Sequence, residues 1–232
     1  MKTQEKNFDG IKLSGFTAIL IMLALTGTAI YLLSLPQTPS IIAGVICGIC
    51  VVVMLPGFMI IQPNNSRVLT FFGRYAGTVI SNGFYWVNPL FLKSTVTLRI
   101  LNLNIDPIKV NDKVGNPIMI GAVVVWRIKD TYKASFDISG NIREFVQIQS
   151  DAALRQVAGM YAYDTNETID KVTLRSDESG EITQRLEDEL NSRLAIAGIE
   201  IVEARINYLA YASEIAGVML RQTPSFLPAN GS

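Results

Sequence analysis

The sequence predicts an α+β fold, a domain of antiparallel strands with packed helices that follows an N-terminal two-helix hairpin. Three observations predict it. Within 232 residues, the 54 positions from Leu13 to Ser66 carry no charge. Beyond Gln62 this apolar run gives way to strand-like alternation. From Asn141 onward apolar residues recur at helical spacing before one closing strand.

Composition removes whole classes of chemistry. The 20 Lys/Arg and 20 Asp/Glu residues balance, so there is no basic footprint for nucleic acid and no nucleic-acid partner is expected. The chain has no histidine, which excludes Ser-His-Asp and Cys-His triads, zincin sites and the zinc-deaminase signature together. Nucleophile-elbow, P-loop and dinucleotide fingerprints are missing as well. Glu187, Asp188 and Glu189 are consecutive on a predicted helix and diverge around it, the pattern of a solvated face. No catalytic, cofactor-binding or metal site is expected.

Phe16 to Leu35 supplies 20 uncharged residues, which as a helix span ~30 Å, the thickness of a bilayer's hydrocarbon core. Pro36 to Ser40 reads as a turn and Ile41 to Ile61 as a second span. So short a connection makes the helices antiparallel. A cleaved signal peptide would have a shorter apolar core and a small-residue cleavage site; a re-entrant hairpin that does not cross is the remaining alternative. Lys2, Lys6 and Lys12 precede the first span, Arg67 and Arg74 follow the second, and the turn is uncharged. The positive-inside rule therefore expects both termini, with a tail over residues 1–15, and the soluble domain on the cytoplasmic side of a plasma or inner membrane. Cys47 and Cys50, the only cysteines, lie one helical turn apart among Ile, Val and Gly, and read as small packing residues rather than a redox or metal pair.

In the soluble part, Arg67 to Phe72 reads as a strand, Gly73 to Gly77 as a turn, Thr78 to Ile80 as a short strand and Ser81 to Gly83 as another turn. Thr95 to Ile105 alternates at Val96, Leu98 and Ile100, then shifts phase to Leu101, Leu103 and Ile105, which predicts a bulge near Ile100. Pro117 to Ile128 is apolar on both faces and is the expected central, doubly covered strand. Asp130 caps a short helix to Phe136. A longer helix, Asn141 to Met160, turns Ile142, Phe145, Val146, Gln149, Ala152, Ala153, Val157 and Met160 toward a sheet. Another, Glu178 to Ala197, aligns Ile182, Leu186, Leu190 and Leu194, and Gly198 suits its left-handed cap. The strand Ile199 to Tyr208 follows, and a final helix is expected from Ala212.

Charge divides this part in two. Residues 62–130 hold eight Lys/Arg against three Asp/Glu, residues 131–232 nine against fifteen. The basic half adjoins the hairpin, where each cation near an anionic leaflet contributes ~1 kcal/mol at best; Arg67, Arg74, Lys93 and Arg99 are either such contacts or an ordinary solvated face. Gly83 to Leu92 carries Phe84, Tyr85, Trp86 and Phe91. It reads as a core strand or as an interfacial tip with rings at headgroup level. Candidate membrane-interface contacts are Arg67, Arg74, Phe84, Tyr85, Trp86, Phe91 and Lys93.

Several motifs run through the chain: Pro56-Gly57-Phe58 to Gln62-Pro63-Asn64, Phe72-Gly73-Arg74-Tyr75, Gly83-Phe84-Tyr85-Trp86, Asn88-Pro89-Leu90, and Val110-Asn111-Asp112 with Gly115-Asn116-Pro117-Ile118. Gln149 to Arg155, Tyr163-Asp164, Glu203 to Ile206 and Tyr208 to Ala216 continue them. With the hairpin anchor, they resemble the SPFH, or Band 7, family of stomatin, prohibitin and flotillin, most of all its prokaryotic two-span members. The resemblance makes residues 62–222 the SPFH domain. It implies a scaffold rather than an enzyme, one that needs no cofactor, forms large membrane-anchored homo-oligomers, and organises a patch of bilayer with a membrane protease or channel as client.

The family's domain is usually followed by a long coiled coil. Here residues 223–232 form an atypical tail with Pro224 and Pro228, which end a helix, and no heptads. The missing coiled coil reads as a frameshift, premature stop or fragment rather than a natural short form, and places self-assembly on the hairpin and domain faces. The alternative function is an accessory regulatory subunit of a membrane protease or transporter complex that does not self-assemble. A Ser/Lys or Asp/Lys membrane hydrolase has no polar nucleophile beside an ionisable base in the spans to carry it.

Overall fold

The computed structural model describes residues 5–164, 173–175 and 180–213. Two apolar helices open it, α1 (Gly15–Ser34) and α2 (Thr38–Met54), the latter extended by a 3-10 turn over Leu55–Gly57. Each stretch is 20 residues long and apolar enough to cross a membrane. Thr26 and Thr28 donate to the carbonyls of Met22 and Ala24 at 2.8 and 2.6 Å, so neither hydroxyl is left without a partner in an apolar setting. Ala18, Ala29 and Gly44 are buried between the helices. A Cβ on Gly44 would lie 2.8 Å from Leu33 Cγ and 3.1 Å from the Ala29 carbonyl, so this crossing needs the missing side chain. Outward, Phe16, Leu20, Ile30, Ile42 and Ile49 are exposed, a surface suited to lipid.

Both ends of the second span differ from expectation. Pro39 lies inside the first turn of α2 rather than in the loop, because its missing N–H is an orphan there anyway. Phe58–Ile61, read as the end of the span, is a strand.

The chain forms two compact units, the first built from residues up to Arg99 with Ile128–Asp137, the second from Ile100–Arg127 and the chain after Ile138. In the first, β1 (Lys12–Ser14), β5 (Gly83–Val87) and β2 (Phe58–Ile61) form one antiparallel sheet. β4 (Arg74–Val79), β3 (Asn65–Phe71) and β6 (Phe91–Thr97) form another. Met59, Ile61, Leu69, Val79 and Val87 are the core, flanked by Phe8, Tyr85 and Phe91. A short helix, α3 (Thr131–Phe136), capped by Asp130 accepting from the Lys133 N–H at 3.0 Å, packs on β3. Ser66, Val68 and Leu69 are fully buried, so β3 is covered on both faces.

Three readings are corrected in this unit. The turn expected over Gly73 to Gly77 is only Phe72-Gly73, because Arg74 already pairs with Phe71. Gly77 serves packing instead: a Cβ there would meet Phe8 Cα at 2.7 Å. What brings Phe8 so close is a pairing of the expected tail with β4, in which the Phe8 N–H donates to the Thr78 carbonyl at 3.0 Å and the Thr78 N–H to the Lys6 carbonyl at 2.8 Å. Thirdly, the phase shift near Ile100 is no bulge; it falls in the break between β6, which ends at Thr97, and the next strand, which starts at Leu101.

In the second unit, β7 (Leu101–Asn111), β8 (Pro117–Ile128) and β9 (Ile199–Tyr211) form a sheet with β8 central, as expected. Its bulge lies between Ile105 and Ile108, opposite Gly121. Helices α4 (Ile142–Ala158) and α5 (Glu181–Leu194) pack against the sheet and each other. Ile118, Ile120, Val124 and Trp126 are buried, while Met119, Val123 and Val125 are only half-buried. The double cover expected for this strand is therefore one complete face and one partial one. The stripe on α5 is as expected, with Ile182, Leu186, Leu190 and Leu194 fully buried and Gly198 in the left-handed region at φ 67°. On α4 the buried stripe is Val146, Ser150, Ala153, Leu154, Val157 and Ala158; Ile142, Phe145, Gln149 and Ala152 lie half-buried beside it and Met160 is exposed. Asp112 explains the Asn-Asp…Gly-Asn motif. Its buried carboxylate accepts from the N–H groups of Val114, Asn116 and Tyr163 and from Asn116 Nδ2 at 2.7–3.3 Å, closing the β7–β8 turn. The helix expected from Ala212 falls almost wholly outside the described residues.

Candidate functional site

The chemistry concentrates where α2 ends. A helix C-terminus leaves carbonyls without intrahelical donors; here two side chains supply donors to them, and a third holds a carbonyl of the strand that follows. Trp86 Nε1 donates to the Met54 carbonyl at 2.9 Å. Lys93 Nζ donates to the Pro56 carbonyl, and Arg67 Nη2 to the Ile60 carbonyl at 3.4 Å while its Nη1 donates to Thr95 Oγ1. Cations at this end also complement the negative pole of the helix dipole. Trp86 lies so close that a Cβ on Gly57 would be 2.3 Å from its Nε1 and 2.6 Å from the Val87 carbonyl.

Register explains how β5 does this. Successive strand residues point to opposite faces, so Phe84 and Trp86 turn toward the helices while Tyr85 and Val87 turn into the core. Phe84 stacks on Phe58 at 5.6 Å and meets Phe16 edge-on at 5.6 Å. Phe58, Ile60 and Leu13 share that helix-side face by pairing with β5; Ile60 is 64% exposed. Sequence reasoning missed these three, because an uninterrupted apolar run has no alternation to mark a strand.

Of the candidate contacts, Arg67, Phe84, Trp86 and Lys93 come together at the foot of the hairpin. Tyr85 lies on the other face of β5, beneath Lys12 Nζ at 4.7 Å and donating to the Asn82 carbonyl at 3.1 Å. Phe91 packs inward, edge-on to Phe8 at 5.4 Å and tilted against Phe71 at 5.3 Å. Arg74 sits opposite Phe71, four residues along β3 from Arg67, about 13 Å away. The stretch Gly83 to Leu92 thus contains a strand, with half its aromatic side chains at the foot of the helices.

Arg67 stands directly opposite Thr95 and Lys93 opposite Leu69, so the two cations are diagonal neighbours on one face of the sheet. Burial, and then the Arg67 charge, hold the Lys93 ammonium below the usual lysine range. Neither has a carboxylate partner among the described residues. Cys47 is half-buried and Cys50 exposed on α2, both as free thiols. Among the described residues no three His, Cys, Asp or Glu side chains gather as a metal site.

Residues 59–223 match the family profile described as SPFH domain / Band 7 family. No curated protein matches the chain significantly.

Proposed function

The chain belongs to the SPFH/Band 7 family, and from that premise we propose that it is a non-enzymatic, membrane-anchored scaffold. It self-associates and organises a membrane microdomain around client membrane proteins. The observation that carries this reading is the fastening of the domain to the second span. Trp86, Lys93 and Arg67 hold carbonyls of Met54, Pro56 and Ile60, and β1 enters α1 directly at Gly15. Both helices thus leave one sheet, with no flexible linker between anchor and domain. A scaffold needs such a joint, because it must present its faces at a fixed angle to the bilayer.

On this reading both termini and the domain are cytoplasmic, and Phe84, Trp86, Arg67 and Lys93 lie at headgroup level, with Arg74, Tyr85 and Phe91 contributing less. Mass measurement of the full chain in native nanodiscs tests the assembly: a discrete multimer is expected, and a monomer at every concentration overturns self-association. A second reading is an accessory subunit of a membrane protease or transporter complex that does not self-assemble. A stoichiometric membrane-protein partner co-purifying with a monomeric chain selects it.

A further inference from the structure

Two cations side by side without a carboxylate are costly unless something negative completes them. Arg67 has five N–H donors in a fixed fork and Lys93 three. The described contacts direct two of the first and one of the second at Thr95, Ile60 and Pro56, which leaves further donors on both half-buried groups for a ligand. Capping the helix end accounts for one positive charge; the second has no role in it. Both cations are tied to the segment that leaves α2, where Leu55 and Ile60 are more than half exposed. An apolar surface therefore borders the pair on the helix side.

We propose that Arg67 and Lys93 form a phosphate site that takes the phosphodiester of an anionic phospholipid, its acyl chains lying along Leu55 and Ile60. The fork of Arg67 matches two phosphate oxygens and Lys93 adds a point charge. A choline headgroup would bring its own cation to the pair, so a lipid such as phosphatidylglycerol is favoured over phosphatidylcholine. A bound phosphate also offsets the Arg67 charge, which adds to burial in holding the Lys93 ammonium below its usual range. The assignment rests on the hairpin being a membrane anchor, but not on self-assembly.

Native mass spectrometry of the full chain, released from nanodiscs of equal phosphatidylglycerol and phosphatidylcholine, tests it, because one spectrum reports lipid retained and subunit number. Preferential retention of phosphatidylglycerol is expected, falling roughly fivefold for each cation removed by Arg67→Gln or Lys93→Gln. The exchange of Arg67→Lys with Lys93→Arg keeps the charges and should retain the lipid, which separates binding from the capping of α2. Equal retention of both lipids, or undiminished phosphatidylglycerol in the double glutamine variant with its helix content intact, overturns the site. If millimolar inorganic phosphate displaces the lipid completely, a soluble phosphate is the ligand and the lipid assignment falls. A monomer that still retains phosphatidylglycerol overturns the scaffold and leaves the site standing; a chain that does not float with vesicles removes the anchor on which the site depends.

Discussion

Phe72 shows how one residue can be held against its own preference. It is the first of two residues in the β3–β4 turn, with φ 45°, followed by Gly73 at φ 80°. Two positive values in a two-residue hairpin are the arrangement that Asn-Gly adopts most readily, and a bulky side chain there is strained by ~1–2 kcal/mol. The residue is 78% exposed and its ring meets Phe71 edge-on at 4.7 Å, too little burial to offset that cost. Phe72→Asn should therefore raise the unfolding free energy by about 1 kcal/mol, read from the thermal midpoint in detergent; a fall would show that the ring packs better than its exposure suggests. Asp151 is a second residue at odds with its surroundings. Its Oδ1 is enclosed without a donor, and burial raises its carboxyl above the usual carboxylate range, with Arg155 opposing the shift and Asp106 adding to it. The folded state then binds a proton at a pH where the unfolded chain does not, so the cost of the charge is present at neutral pH and is relieved as pH falls through the raised value toward 3.8. Asp151→Asn should be the more stable form at neutral pH, with the difference shrinking on acidification. With no histidine in the chain, the melting series has no imidazole titration to confuse it.

Elements differ in how firmly they stand. Leu190 in the middle of α5 is fully buried and Ile196 just beyond it is 67% exposed. Leu190→Ala should cost about 2–5 kcal/mol and Ile196→Ala under about 0.5 kcal/mol, compared in the same urea titration. A strand edge joins this helix as well. Glu187 and Asn191 accept from the N–H groups of Ala204 and Ile201, each at 3.0 Å, so two residues on the polar side of the stripe finish β9. The stripe itself was legible because leucine and isoleucine recur there at helical spacing with charged residues between them. On α4 the same reasoning misplaced part of the buried face: Ser150 is inside, and Gln149 and Ala152 sit at the edge, since small and polar residues carry no hydrophobic signal of which side they take. Short strands were the hardest to read. Lys12–Ser14 is three residues long and pairs with Tyr85 to Val87, a partner some seventy positions away that no local pattern announces. Of the site, the aromatic and basic residue types were visible; that Phe84 and Trp86 share one face while Tyr85 takes the other became readable only once Phe58–Ile61 was recognised as their neighbouring strand.

Across the whole molecule, charge and apolar length argue for the same arrangement. Five flanking cations, Lys2, Lys6, Lys12, Arg67 and Arg74, stand against none in the loop between α1 and α2. Lys12 lies in the strand that runs straight into α1, and Arg67 holds the Ile60 carbonyl just beyond α2. These two charges are therefore fixed at the foot of the hairpin, where moving them through a bilayer would cost ~2.5–3.5 kcal/mol each on an insertion scale. Orientation follows the difference in Lys/Arg between the two sides rather than net charge, so a modest change in the loop should not reverse it. A topology reporter fused after Ser232 should report a cytoplasmic location in the natural chain, and the same location after Gln37→Lys with Thr38→Lys, which leaves five flanking cations against two. Replacing Lys2, Lys6 and Lys12 by glutamine in that doubly substituted chain brings the count to two against two, and a mixed orientation is expected. If the natural chain already reports the opposite side, the cations at the foot of α2 face the outer leaflet and the cytoplasmic reading falls, while the fastening of domain to hairpin is untouched.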